Sequence, residues 1–136
     1  DLEWVMSVSA PVLRVRRIKA GQSVSYGRAF VASCDATVAV VAAGYATGLA
    51  RNLSNRTDLL INGRRVPQVG RVCMGMVMAD VSALANVRAG DTAWILGGPA
   101  APGQRPITAQ EMADKLDTIP YEILCQMGSA NPRVYS

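Results

Sequence analysis

The sequence predicts a mainly β domain: an antiparallel, Greek-key-like β-barrel of about eight strands, with one or two short helices near the C-terminus. Before Gly97, short apolar or alternating runs recur and are separated by Gly, Pro, Asn or Asp, as in antiparallel sheets. No helical pattern lies between these runs, which disfavours a parallel α/β sheet. The first convincing helix signature comes only at Thr108. We therefore expect a single domain, residues 1–136, with a core of its own.

The predicted strands differ in length and in burial. A long first strand, or two strands joined at a proline, is predicted from Trp4 to Ile18. Within it Leu13 and Val15 fall on one face and the neighbouring arginines on the other, so one face is expected to be solvated. Thr37 to Val41 is almost continuously apolar and is expected to be buried on both faces. The remaining strands are predicted at 23–26, 28–33, 59–61, 64–69, 76–81 and 92–96.

The connections contain one strong turn signal and one candidate functional loop. Asn62-Gly63 predicts a type I′ hairpin, because both central residues of that turn need positive φ. Residues 51–58 are polar, irregular and rich in Asn and Arg, which is typical of functional loops. Residues 97–106 are interrupted by Gly and Pro and are predicted to be irregular.

Two helices are predicted after the last strand. Thr108 and Glu111 have the spacing of a capping box, so the first helix is expected to begin at Thr108. It should end before Pro120, which cannot continue it. A second short helix is predicted from 121 to 126, ending near Gly128, followed by a last extended piece at 134–135.

The composition excludes several kinds of site. The chain has no histidine and three widely separated cysteines, Cys34, Cys73 and Cys125, which disfavours a zinc site, a disulfide framework and any His-dependent triad. We predict no metal site. The longest apolar run is too short for a membrane span, and the first residues lack the pattern of a signal peptide, so a cytoplasmic location is expected. The chain opens on strand-like sequence without an initiator Met, which suggests a fragment of something longer.

Four short motifs carry the strongest functional signal when their order and spacing are taken together. They are Ser25-Tyr26-Gly27, Gly44-Tyr45-Ala46-Thr47-Gly48, Gly70-Arg71-Val72-Cys73-Met74 and Ile119-Pro120-Tyr121-Glu122-Ile123. As a set they closely resemble the C-terminal domain of the alanine racemase family, and the resemblance extends over essentially all 136 residues. Any one motif alone is weak, since Tyr26 taken locally is a half-buried strand tyrosine.

The resemblance implies a division of labour between two domains. In the family an N-terminal TIM barrel binds pyridoxal 5'-phosphate through a Schiff-base lysine. The C-terminal β domain of one subunit completes the active site of its partner in a head-to-tail homodimer. Neither Lys19, in a turn, nor Lys115, on the predicted helix, matches that lysine. We therefore expect this chain alone to bind no cofactor and to be inactive, and the full-length enzyme to interconvert L- and D-alanine for D-alanine biosynthesis and peptidoglycan.

Tyr26 matches the catalytic tyrosine of the family, which moves the α-proton on the L-face while the barrel lysine serves the D-face. This chemistry needs two groups on opposite faces of a planar carbanion, with the cofactor as electron sink. A free phenol with a pKa near 10 is only about one part in a thousand ionised at pH 7, a deficit of about 4 kcal/mol. Because the chain lacks histidine, we expect an arginine here or the barrel domain to assist Tyr26.

Other residues match family positions around the substrate. Met74 matches the residue whose backbone N–H contacts the substrate carboxylate. Tyr45, Arg51 and Arg71 match residues that line the substrate access corridor. Tyr121 matches a tyrosine that narrows the corridor and reaches the cofactor phosphate in its own subunit. Without the resemblance, the arginines are ordinary surface charges, and Met74 and Tyr121 are packing residues.

Two positions depart from the family pattern. Gly75 stands where the family commonly has Asp after Cys-Met, and Thr47 stands where it has Asp in Gly-Tyr-Ala-Asp-Gly. Losing two carboxylates near the corridor changes its charge. The resemblance therefore implies a small amino acid as substrate, with alanine the first expectation and serine an alternative.

Two further functions remain open at this point. A β-barrel with net charge +4 could bind nucleic acid through Arg14, Arg16, Arg17 and Lys19, but an aromatic content of 5% offers little stacking surface. A membrane-linked relative with a transmembrane module upstream would share the same visible residues. The resemblance favours neither, and we expect no nucleic-acid or membrane partner.

Overall fold

Six strands close an antiparallel barrel, and two more form a short ribbon beside it. The computed structural model describes residues 5–135 and, within that range, every side chain except that of Tyr26. The strands are β1 (Val8–Ile18), β2 (Ser23–Val24), β3 (Phe30–Val31), β4 (Ala36–Val41), β5 (Asp58–Ile61), β6 (Arg64–Val69), β7 (Val77–Asp80) and β8 (Thr92–Leu96). Around the barrel they run β1-β4-β7-β6-β5-β8, and β2 pairs with β3 alone. The predicted mainly β barrel is therefore confirmed.

The first strand serves two neighbours and is bent by a bulge. Its first half pairs with β8 and its second half with β4, so β1 closes the barrel. Val12 pairs with Val41 and Arg14 with the adjacent Val40, which leaves one extra residue on β1. The prediction that Leu13 and Val15 share a face is wrong, because the bulge turns Leu13 outward to 48% exposure while Val15 packs on the core. The predicted start at Trp4 lies outside the described residues.

The predicted strand 23–26 ends early. Pairing stops at Val24, and residues 26–28 form a 3-10 turn instead. Ser25 and Gly27 both have a φ of 71° and Arg28 has a φ of 54°, values that a pleated strand does not accommodate. The predicted strand 28–33 is reduced for the same reason to β3, the two residues after this turn.

Two other predictions about strands are confirmed. Asn62 and Gly63 have φ values of 51° and 76°, as the type I′ hairpin between β5 and β6 requires. Strand β4 is buried along nearly its whole length. Its outer face is covered by the ribbon through a small apolar cluster: Ile18, Val24, Ala32, Ala36, Val38 and Val69. This packing fixes where the chain leaves β2 toward Tyr26.

The helices are α1 (Ala109–Leu116) and α2 (Pro120–Ala130), and both close the main core. The capping box is confirmed, since Thr108 Oγ1 accepts from the Glu111 N–H and Glu111 accepts from the Thr108 N–H. Helix α2 is slightly longer than predicted, since it ends at Ala130 and not near Gly128. Met127 is buried, and the Asn131 side chain donates to the Met127 carbonyl at 2.8 Å, which holds the last turn. Residues 132–135 form no helix or strand.

Candidate functional site

A single connection gathers most of the predicted site residues at one end of the barrel. It runs from Gly70 to Met76 between β6 and β7 and carries Arg71 and Met74, and we call it the bridging segment. Three turns attach to it by hydrogen bonds: residues 25–28, 44–47 and 51–55. These turns contain Tyr26, Tyr45 and Arg51, respectively.

The turn that contains Tyr26 is bound to Arg71 on both sides of the tyrosine. The Arg71 N–H donates to Ser25 Oγ at 2.8 Å, and Ser25 Oγ donates to the Arg71 carbonyl at 3.1 Å. On the other side, the Arg71 guanidinium lies over Gly27: a Cβ there would be 3.4 Å from Arg71 Nε. A permanent positive charge therefore sits beside the residue that follows Tyr26.

The turn that contains Tyr45 lies directly against the backbone of the bridging segment. The Tyr45 N–H donates to the Cys73 carbonyl at 3.0 Å and the Ala46 N–H to the Met74 carbonyl at 2.9 Å. No side chain fits at Gly44, because a Cβ there would be 2.2 Å from the Cys73 oxygen. Thr47 closes the turn, since its hydroxyl accepts from the Gly44 N–H and donates to the Gly44 carbonyl, both at 3.0 Å.

The turn after Arg51 fixes the beginning of the bridging segment. Ser54 Oγ accepts from the Val72 N–H at 2.8 Å and donates to the Arg51 carbonyl at 2.6 Å. The Asn55 carboxamide accepts from the Gly70 N–H at 2.6 Å and donates to the Ala29 carbonyl at 3.0 Å. The loop 51–58, predicted to be functional, thus ties the bridging segment to the end of the turn that contains Tyr26.

Tyr121 belongs to a different element, a helix that contacts the turn of Tyr45 near its C-terminal end. It lies in the first turn of α2, and this helix packs on Gly48, where a Cβ would be 2.8 Å from the Met127 Cα. The Asn131 side chain completes the contact by donating to the Thr47 carbonyl at 2.8 Å. Helix α2 therefore links Tyr121 to the turn of Tyr45 through packing and not through a direct hydrogen bond.

The gathered residues leave an exposed face with polar groups available for binding. Tyr45, Met74 and Tyr121 are 46%, 62% and 68% exposed. Leaving aside the undescribed side chain of Tyr26, residues 5–135 provide no acceptor for the Met74 N–H. A shallow cavity of about 350 Å³ lies beside Tyr45 and is lined also by Gly48, Ala50, Gln126 and Ala130.

The charged groups near the bridging segment include two arginines, Arg51 and Arg71. Among residues 5–135, Arg51 and Arg71 form no ion pair, and both ion pairs of these residues are made by Arg65. Neither lysine lies on the gathered turns: Lys19 follows β1 and Lys115 is on α1. The described residues hold no cluster of three or more His, Cys, Asp or Glu that could bind a metal, and none of their helices is long and apolar enough to cross a membrane.

A larger cavity lies elsewhere and contains none of the predicted site residues. It has a volume of about 660 Å³ and lies between residues 5–7 and residues 94–109, with mostly apolar lining groups such as Met6, Trp94, Pro99 and Ile107. Its size does not make it the site, because the polar groups that could act on a substrate lie around the bridging segment.

Comparison with known proteins identifies the family. The sequence profile described as "Alanine racemase, C-terminal domain" matches residues 5–135. This chain belongs to that family. The alanine racemase of Nitratidesulfovibrio vulgaris strain DP4 is 50% identical over 128 residues, which make up 94% of this chain and 33% of that protein.

Solved alanine racemases share the fold. The crystal structure from E. faecalis matches with a TM-score of 0.85 and 32% identity, over 96% of this chain and 33% of its own. The structure from Bartonella henselae, which has covalently bound pyridoxal phosphate, matches with a TM-score of 0.84 and 32% identity, over 96% of this chain and 34% of its own. The chain thus spans about a third of the length of the curated relatives it matches.

The residues that sequence reasoning did not assign are those that hold the alanine racemase motifs together. Ser25, Ser54, Asn55 and Asn131 each bond backbone groups far away in the sequence. Thr47, treated as a missing carboxylate, is fully engaged with Gly44. The sequence contains a clue to some of these roles, because Ser, Thr and Asn side chains in turns commonly form hydrogen bonds to the backbone.

Proposed function

We propose that this chain is the C-terminal domain of a pyridoxal-phosphate-dependent racemase that interconverts L- and D-alanine. In this proposal it supplies Tyr26 and a substrate-binding backbone to the active site of a partner subunit in a head-to-tail homodimer. A barrel domain of the same enzyme holds the cofactor. The enzyme acts in the cytoplasm and provides D-alanine for the cell wall. Membership of the alanine racemase family supports the activity, and the bridging segment supports the residue roles.

The observation that carries the residue roles is the convergence of three turns on the bridging segment. Tyr26, Tyr45 and Arg51 come from distant parts of the chain, yet their turns bond to consecutive residues of one connection. A packing role alone does not require this arrangement, because packed side chains need no shared backbone partner. Groups that must meet one small substrate do require it, since small errors in position are costly in catalysis.

Tyr26 acts as the acid or base on the L-face of the substrate. When bound, pyridoxal phosphate supplies the electron sink that makes the α-proton acidic. The phenolic oxygen of Tyr26 then takes or returns that proton. The Arg71 guanidinium lies beside Gly27, the residue that follows the tyrosine in the sequence, and it is the positive charge of this chain that is assigned to assist Tyr26. This is the cationic help that a phenol requires in a chain without histidine.

Met74 binds the carboxylate of the substrate through its backbone N–H, which is an available donor on an exposed part of the bridging segment. Arg51 and Arg71 line the path by which the substrate enters. Tyr45 and Tyr121 border the path to this point. The Tyr121 hydroxyl, exposed on the first turn of α2, suits a contact with the cofactor phosphate. The chain's lysines lie away from these turns, so the covalent link to the cofactor belongs to the barrel domain.

The substrate is alanine in this proposal. Gly75 is open, and a side chain added there would meet nothing within 4 Å, so its lack of a carboxylate changes charge without changing shape. The Thr47 hydroxyl bonds only to Gly44, and an acidic side chain could serve the same turn as acceptor. These two departures therefore do not argue for a larger substrate.

The test is the direction of proton exchange in the full-length enzyme. Since the two enantiomers have equal free energy, kcat/KM for net racemisation is the same in both directions, and only exchange of the α-hydrogen with D₂O separates the two faces. We expect Tyr26→Phe to slow exchange of L-alanine by at least about a hundredfold and to leave exchange of D-alanine within about threefold. NMR of each enantiomer measures both rates.

The matched control for this test is Tyr135→Phe, which removes the same phenolic hydroxyl from a tyrosine that is 84% exposed. It should leave both rates unchanged. Equal small losses with L- and D-alanine in Tyr26→Phe would contradict the role of Tyr26.

A second test addresses the division of labour between the domains. The chain alone is expected to show no racemisation, and addition of a separately expressed barrel domain is expected to restore it. Activity of the chain alone would contradict the proposal.

A further inference from the structure

We propose that Ser25 is a positioning residue for the proton transfer by Tyr26, holding the tyrosine's turn in register with the backbone that binds the substrate. The inference rests on the proposed function of Tyr26 and Met74. It concerns a residue that the family resemblance did not assign, and it follows from the backbone conformation of Ser25 and from its two hydrogen bonds.

Ser25 has a backbone conformation that residues other than glycine rarely adopt. Its φ is 71° and its ψ is 168°, in a region populated almost only by glycine. Such a conformation persists only when surrounding contacts enforce it, and it is concentrated at functional sites. The strained residue lies immediately before Tyr26, so it determines the direction in which the chain enters the tyrosine's turn.

Contacts with the bridging segment hold Ser25 in this strained backbone conformation. Ser25 Oγ accepts from the Arg71 N–H and donates to the Arg71 carbonyl, at 2.8 and 3.1 Å. The side chain also presses on Gly70, where a Cβ would be 2.5 Å from the Ser25 Cβ. A single hydroxyl therefore satisfies both backbone groups of Arg71 while the chain is held close enough to exclude any side chain at Gly70.

The far side of the turn is held by a second, independent contact. The Asn55 side chain accepts from the Gly70 N–H and donates to the Ala29 carbonyl, at 2.6 and 3.0 Å. Residues 26–28 are thus clamped at both ends onto Gly70 and Arg71. Met74 follows three residues later on the same segment, so the Ser25 contact fixes Tyr26 relative to the proposed substrate N–H.

The role of Ser25 is to position and not to react. Its hydroxyl has both a donor and an acceptor on Arg71, which leaves no proton free for the substrate. Removal of the hydroxyl takes away the contact that compensates the positive φ, and the turn is then free to relax. Because Tyr26 serves only the L-face, a misplaced turn should slow one direction of proton exchange and spare the other.

The experiment measures α-hydrogen exchange in D₂O with full-length holoenzyme carrying Ser25→Ala. We expect exchange of L-alanine to fall by between about tenfold and a hundredfold, as for a displacement of the order of 1 Å, and exchange of D-alanine to stay within about twofold. Ser25→Gly, which removes the hydroxyl and relieves the strain, should show a smaller loss in the same direction. If Ser25→Ala does not fold, Ser25→Gly provides the test, because glycine tolerates this backbone conformation.

The matched control is Ser82→Ala. Ser82 Oγ also accepts a backbone N–H, from Thr37 of β4 at 2.9 Å, and also donates, to Asp80, but it follows the C-terminal end of β7, whereas the bridging segment precedes that strand. This variant should slow α-hydrogen exchange of L- and D-alanine equally, or should slow neither.

The outcomes separate the two proposals. A loss confined to L-alanine in the Ser25 variants supports the positioning role. Unchanged exchange, or an equal loss with both enantiomers, overturns it, and Tyr26→Phe measured alongside shows whether the role of Tyr26 still stands. If Tyr26→Phe itself shows no preference for L-alanine, both proposals fail.

Discussion

Two regions of this domain, which we call the α1 end and the site end, are held by different kinds of interaction, although α1 also contacts the turn of Arg51. Where α1 meets the barrel, charged groups make the contacts, and at the bridging segment neutral Ser, Asn and Thr side chains bond to backbone. The first end uses its charges for stability. The second end leaves its charges available to a ligand.

At the α1 end, Arg65 is the central group. Its guanidinium forms two hydrogen bonds to Glu111, at 2.6 and 2.9 Å, and an ion pair with Asp58 at 3.3 Å. It also donates to the carbonyls of Arg105 and Pro106. The hydrogen bond to Glu111 raises the pKa of Arg65. These contacts join β6, the loop before α1 and the helix start.

At the bridging segment, neutral side chains make the contacts that hold the elements together. Ser25, Ser54 and Asn55 hold its backbone, and Gly44 and Gly70 allow the chains to approach closely. Because no carboxylate neutralises them within residues 5–135, the nearby arginines stay available. The difference is that the site end is joined by neutral side chains and close backbone contact, an arrangement that suits the substrate role proposed for its arginines.

The strongest way to break the site end alone is Gly44→Ala. A Cβ there would lie 2.2 Å from the Cys73 oxygen and 2.4 Å from the Met74 oxygen, so the turn of Tyr45 must separate from the bridging segment. We expect unfolding free energy to fall by about 3 kcal/mol and racemisation by the full-length enzyme to fall at least about a hundredfold. Thermal unfolding and coupled racemisation assays measure the two effects.

Gly75→Ala is the control for this prediction, since a Cβ at Gly75 meets nothing within 4 Å. It should leave stability nearly unchanged. If Gly44→Ala were equally harmless, the close backbone approach would not matter.

The α1 end is also the part of the fold that local sequence predicted best. The capping box at Thr108 and the turn at Asn62-Gly63 depend on residues within a few positions of each other, and both were confirmed. Strand β4 was predicted as buried because its apolar run needs no partner to be recognised. In these cases the information lies in the local chain.

The site end could not be predicted in detail because its contacts are remote. Ser25 and Arg71 are 46 residues apart, and Asn55 and Ala29 are 26 apart. The positive φ of Ser25 ended the predicted strand at Val24, although Ser favours no such conformation by itself. The family resemblance identified the candidate residues, but only the fold shows what holds them together.

A second prediction concerns the ion pair at the α1 end and its pH dependence. Burial opposes the ionisation of Glu111, but hydrogen bonds from Arg65 and Thr108 and nearby positive charge outweigh it and lower the pKa of Glu111. The folded state therefore binds this proton less readily than the unfolded state. The stabilisation is complete above about pH 5 and is lost as pH falls through the folded pKa of Glu111.

Glu111→Gln should accordingly reduce the free energy of unfolding by about 2 kcal/mol at pH 7, and by less at pH 3. Urea unfolding at several pH values measures this difference. Asp114→Asn, on the exposed side of the same helix, is the control and should show a smaller change. A Glu111→Gln deficit that did not shrink on acidification would contradict the assignment, and racemisation at pH 7 should be unaffected.

The smallest effects give the sharpest comparison, because the same chemical group can be removed at each end. Thr108 Oγ1 accepts from the Glu111 N–H at 3.1 Å, and Ser54 Oγ accepts from the Val72 N–H at 2.8 Å. Replacement of either residue by Ala should cost about 1 kcal/mol of stability. Only Ser54→Ala should also lower kcat for racemisation, by several-fold, because Val72 lies between Arg71 and the proposed substrate N–H of Met74. Equal kinetics in the two variants would mean that the bridging segment keeps its shape without Ser54, and that its other attachments are sufficient.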